Sequence, residues 1–149
     1  MKTTIEQARI KYGAPTIGCY VDASACSADD CNLRTIRFAQ NYGFDDGALP
    51  ALDSEDYSQF LSDAGDDAVT YLNDIETRSF MYWTFEDNSL FLVADVEGAR
   101  EDVEFVSSRK QDYPADDYRG EWLHVSDHGN ATLYIRGEDG KDSEIWGVV

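Results

Sequence analysis

Basic residues are what this sequence lacks. Only twelve of its 149 residues are Lys or Arg, against thirty Asp or Glu. The forty residues between Arg37 and Arg78 hold ten acids and no basic residue. The phosphates of nucleic acid and anionic membrane surfaces both repel such a chain, so direct binding to either is not expected. Cysteine is scarce too. Cys19, Cys26 and Cys31 are an odd number in one short region, which argues against a disulfide framework and suits reduced thiols in a cytosol. No apolar run approaches the ~18 residues of a membrane span. Lys2, Glu6, Arg9 and Lys11 interrupt any apolar signal core in the first twenty residues, so a cytoplasmic location is expected.

Aromatic residues, by contrast, are abundant: nine Tyr, seven Phe and three Trp. With 42% hydrophobic content, they argue for a packed core and against a disordered acidic tail. The formal charge of -18 is thus carried by a folded domain, and it favours a basic partner. At this length one α+β domain over 1–149 is expected, with a subdivision into a mainly helical 1–78 and a mainly antiparallel 79–149 as the alternative.

Thr3 and Glu6 have the spacing of a capping box, and Gly13 closes a short helix over "IEQARIKY". "TIGCYVD" reads as a strand. Ser27, with Asp29 and Asp30 in the first turn, opens a second helix through "CNLRTIRFAQNY" that Gly43 ends. "GFDDGALPALD" is a loop, and Asp53 or Ser54 caps a third helix over "DYSQFLSDAGDDAVTYLNDIE". Beyond Arg78, "FMYWTF" and "SLFLVAD" flank the turn "EDN" as an antiparallel hairpin. Residues 97–121 fit helix or strand equally. "EWLHVSD", "ATLYIRG" and "SEIWGVV" form a three-strand meander. Helices before strands is the α+β pattern, here with the hairpin and meander as a C-terminal antiparallel sheet.

The third helix carries six acids over residues 56–76 and no base. At 100° per residue, Tyr57, Phe60, Leu61, Ala64, Ala68, Tyr71, Leu72 and Ile75 share a sector of about 120°, a core-facing stripe. Asp56, Asp63, Asp67 and Asp74 fall within about 40° of one another, a row roughly 27 Å long. Solvated helix faces normally mix signs, since an acid–base pair four residues apart adds a few tenths of a kcal/mol. This helix forgoes every such pair. Gly65, costing about 1 kcal/mol inside a helix, is the one residue able to split the row.

Duplex DNA carries a charge per about 1.7 Å, so eighteen charges match roughly nine base pairs, or about 30 Å. A chain of this length has a radius of gyration of about 15 Å, so charge and size both match about one turn of DNA. In size, charge and acidic helix the chain resembles small phage- or plasmid-encoded inhibitors of host defence, the DNA-mimic anti-restriction and anti-CRISPR proteins. The tail "VSDHGNATLYIRGEDGKDSEIWGVV" is similar to the C-terminus of proteins found on mobile elements and implies no particular activity.

Other constellations are weak. "HVSDHGN" holds the residue types of a hydrolase triad, but neighbours on a strand alternate faces and triads converge from separate elements. The spacing C-x6-C-x4-C lacks the close pair of a structural zinc site, leaving buried or half-buried free thiols. "GEDGKDSE" and "SDAGDDA" miss the calcium-loop spacing. "FMYWTF" reads as a packed core strand. No catalytic residue, metal or cofactor is expected, and the chain is not expected to be an enzyme.

The expectation is therefore a binding protein that inhibits a basic, nucleic-acid-binding host complex. Asp45, Asp46, Asp53, Glu55, Asp56, Asp63, Asp66, Asp67 and Asp74 would stand in for DNA phosphates. Two alternatives stay open. One is an immunity protein or antitoxin covering a basic nuclease, with Tyr57, Tyr71 or Trp122 as an aromatic anchor. The other is a halophile-type acidic domain whose charge serves hydration.

Overall fold

Ser27 begins the first helix as its side-chain oxygen accepts the Asp30 amide at 3.2 Å, satisfying one of the donors left over at a helix start. The computed structural model describes residues 14–45 and 55–149. The expected helix over 5–12, and Asp46, Asp53 and Ser54, lie outside the described residues. In chain order the elements are β1 (Gly18–Asp22), α1 (Ala28–Gln40), α2 (Tyr57–Ile75), β2 (Met81–Glu86), β3 (Ser89–Ala94), α3 (Val96–Asp102), β4 (Val106–Ser107), β5 (Gly120–Val125), β6 (Ala131–Arg136) and β7 (Asp142–Val148). A single 3-10 turn covers Lys110–Asp112. The chain is α+β. No helix among the described residues is long and apolar enough to cross a membrane.

The chain divides into two compact units, Met1–Thr77 with Tyr82–Val93, and Arg78–Met81 with Ala94–Val149. The arrangement of strands departs from expectation. The hairpin and the meander are not one sheet: β1, β3 and β2 form a three-stranded sheet in that order, and β4, β5, β6 and β7 form another. The cause is β1, which pairs antiparallel with β3, Cys19 opposite Phe91 and Val21 opposite Leu90. Asp87 and Asn88 turn the hairpin with φ of 49° and 57°, the left-handed pair of a two-residue type I′ turn.

In the first unit, α1 packs on the three-stranded sheet through Phe38, whose ring lies 5.3 Å from that of Tyr20 and 5.4 Å from that of Trp83. Trp83 is buried, in keeping with a packed core strand for "FMYWTF". The end of α1 is a Schellman closure: the amide of Gly43 (φ 99°) bonds the Gln40 carbonyl, and that of Phe44 bonds Ala39. Helix α2 runs unbroken through Gly65. That glycine is buried, and a Cβ there would run into the Asn32 side chain. Gly65 therefore marks the close approach of α1 to α2 instead of a break between two helices. Ser58 donates to Asp29 at 2.7 Å and Tyr71 donates to the Tyr42 carbonyl at 2.6 Å. Read with the Asn32–Gly65 approach, these contacts make the two helices run side by side in the same direction. Farther along, Asn73 binds the backbone of β2 twice, to the Trp83 amide (2.7 Å) and carbonyl (3.0 Å). Its side-chain amide thus takes the place of a neighbouring strand at that edge.

In the second unit, β5 to β7 are the expected meander, with Leu123 opposite Leu133 and Leu133 opposite Trp146. A short β4 adds to β5 in parallel. The ambiguous 97–121 region contains both: Asp95 accepts the Gly98 amide at 2.9 Å and opens α3, which ends where Val103 turns extended, and only Val106–Ser107 of the "DVEFV" region is strand. The Arg136 side chain is 8% exposed and grips Asp142 through Nε (3.0 Å) and Nη2 (3.2 Å). Its Nη1 donates to the carbonyls of Pro114 and Ala115, and the Trp122 indole also donates to Asp142. One ion pair thus holds a loop, two strands and a tryptophan together.

Two outcomes test this packing. Gly65→Leu lowers stability by about 1–3 kcal/mol in urea titration, because overpacking at the Asn32 contact outweighs the gain in helix propensity; a more stable variant would mean the helices do not meet there. The Arg136 bonds hold the Asp142 carboxyl below the usual carboxylate range. A lowered folded-state pKa gives stability that is full above the unfolded value of about 3.9 and is lost as pH falls through the lower folded value. Midpoints of denaturation measured from pH 6 down to pH 2 should therefore show a wild-type advantage over Asp142→Asn that shrinks below about pH 4.

Candidate functional site

Helix α2 presents two faces. Leu61, Ala64, Gly65, Ala68 and Leu72 are buried, which is the expected stripe, centred closer to Gly65 than the apolar pattern alone places it. Tyr57, Phe60, Tyr71 and Ile75 are only half-buried. Asp63, Asp66, Asp67 and Asp74 are exposed. Because the helix is continuous, Asp63, Asp67 and Asp74 stay in line over about 17 Å, with Asp66 set about 80° to the side.

The helix starts later than expected. Its first residue is Tyr57 and its N-cap is Asp56, which makes no side-chain capping bond. Asp56 therefore continues the row from just outside the helix, with exposed Glu55 before it. Asp45 is exposed as well. Phe44, its neighbour in the chain, lies against Tyr71 with ring centroids 5.5 Å apart, so Asp45 sits beside the half of α2 that carries Asp67 and Asp74. Seven of the nine residues picked from sequence are thus described, and six of them adjoin or lie on one exposed helix face with the seventh alongside.

Within this group the acids differ in what the fold returns to them. Side by side and codirectional, α1 and α2 bring their positive N-terminal ends together, where Asp29, Asp30 and Asp56 meet favourable helix dipoles. Asp63 accepts one neutral bond, from Gln59 Nε2 at 2.9 Å. Among the described residues no Lys or Arg pairs with Asp63, Asp66, Asp67 or Asp74. Asp74, in the last turn, faces the negative end of the dipole. Four carboxylates are thus held without internal electrostatic return. Tyr71 adds no charge, since burial pushes its phenol pKa up and its hydroxyl donates to Tyr42.

Asp29 and Asp30 were not among the sequence-derived candidates. Nothing in the local pattern marks them beyond helix capping, and the pairing of α1 with α2 brings Asp29 to the start of α2, where it accepts from Ser58 on the side away from the carboxylate row. Two other expectations change. Trp122 is buried and bonded to Asp142, so it offers no exposed anchor. Cys19 and Cys26 are exposed and only Cys31 is buried, since β1 turns Cys19 outward and Cys26 precedes the α1 cap.

"HVSDHGN" is strand end and turn: Ser126 Oγ accepts the Asn130 amide at 3.1 Å and the Gly129 amide bonds the Ser126 carbonyl. No group of three or more His, Cys, Asp or Glu among the described residues is placed to hold a metal. Comparison with protein-family models, with curated proteins and with solved structures finds no match.

If the row has no structural purpose, replacing part of it should cost the fold nothing. Asp67→Lys creates an acid–base pair with Asp63 four residues earlier and removes a repulsion. Stability at low ionic strength should rise by about 0.2–0.5 kcal/mol, and the gain should fade with added salt. A clear loss in chemical denaturation would show that Asp67 supports the fold.

Proposed function

We propose that this chain is an inhibitory binding protein whose α2 carboxylate face occupies the phosphate channel of a basic, nucleic-acid-handling host protein, in the manner of anti-restriction or anti-CRISPR DNA mimics. The observation that carries this reading is the unpaired row Asp63, Asp67 and Asp74, with Asp66 beside it and Asp56, Glu55 and Asp45 adjoining. Asp46 and Asp53 belong to the same acidic stretch of sequence. Each carboxylate takes the place of a phosphate oxygen opposite Lys or Arg, as charge-assisted hydrogen bonds require. Cofactor chemistry has no part in such a mechanism. Inhibition follows from occupancy, and attraction at long range speeds encounter.

Affinity capture from host lysate at 50 and 200 mM salt tests the reading. A basic nucleic-acid-binding protein is retained at low salt and lost at high salt, by about a hundredfold in affinity if four carboxylates each replace a phosphate. Duplex DNA competes it off, and the Asp63→Lys, Asp67→Lys, Asp74→Lys triple variant does not capture it. Retention that ignores salt, or survives the triple variant, removes the proposal. Capture of a toxin nuclease instead of a defence complex selects the immunity-protein form of the same interaction, with half-buried Tyr57 or Tyr71 as its remaining aromatic anchors.

A second reading is supported by the second unit, which is acidic too: fourteen acids against seven basic residues. Salt adaptation would spread charge in this way for hydration. It predicts a protein that unfolds when salt is withdrawn. Under mimicry the circular-dichroism melt stays cooperative at 10 mM salt, with the midpoint lowered by no more than a few degrees.

A further inference from the structure

We draw no further inference here: the strongest candidate, the half-buried aromatic flank that Phe60 and Tyr71 set along the carboxylate row of α2, belongs to the surface already described, and no bound group or buried unpartnered polar side chain aimed into it points to a distinct ligand.

Discussion

Helix α2 can be held by one face only. Its solvent face carries carboxylates that no described base neutralises, so its position rests on the stripe around Gly65, on the Phe44–Tyr71 contact and on three polar clips. Gly65 lets α1 come close at the centre, and Leu61, Ala64, Ala68 and Leu72 are buried around it. Magnitudes decide why this works. Burying a leucine side chain is worth roughly 1.5–3 kcal/mol, whereas a like-charge pair one turn apart on an exposed face costs a few tenths. Packing therefore outweighs repulsion by a wide margin, and a helix with no base on it remains a helix. The clips at Ser58–Asp29, Tyr71–Tyr42 and Asn73–Trp83 then set its rotation, which is what keeps the row outward.

The parallel course of α1 and α2 has an electrostatic consequence. Adjacent positive ends make the start of both helices a place where acids are welcome, and Asp29, Asp30 and Asp56 are there. The opposite ends make the C-terminal turn a place where acids are disfavoured, and Asp74 is there all the same. Arg37, in the last turn of α1, is the kind of residue the dipole favours. Helix α1 thus follows the ordinary rule at both ends, and α2 breaks it at one.

Much of this was legible in the sequence. Ser27 with Asp29 and Asp30, Gly43, and the hairpin turn at Asp87 and Asn88 are local signals, and each acts where the local chemistry places it. The meander is equally local, since alternation and turn residues define it. What escaped were the long-range choices. Nothing in "TIGCYVD" says that its partner is "SLFLVA", about seventy residues away, and that pairing is what separates the hairpin from the meander. Gly65 read as a liability because propensity considers one helix at a time, while its use is between two. Trp122 read as a surface anchor because an aromatic on a half-buried strand has no visible partner until Asp142 closes from β7. The acidic row was legible because periodicity and charge are both properties of one segment. The cap of α2 was placed two or three residues early because Asp53, Ser54 and Asp56 are all residues that can cap a helix.

Amount of charge does not distinguish the two units. The first holds sixteen acids and five basic residues over 89 positions, and the second fourteen and seven over 60, nearly the same net charge per residue. What differs is mixing. In the second unit acids share their elements with bases: Glu97 and Glu101 flank Arg100 on α3, Asp142 is gripped by Arg136, and Arg109, Lys110 and Arg119 stand among Asp112, Asp116 and Asp117. On α2 the signs are segregated completely. Under the proposed mimicry that segregation has a use. A groove lined by Lys and Arg gains a great deal, since a single base in the row would put like charges together at the contact. Segregation, more than the amount of acid, is therefore what sets the α2 face apart from the second unit.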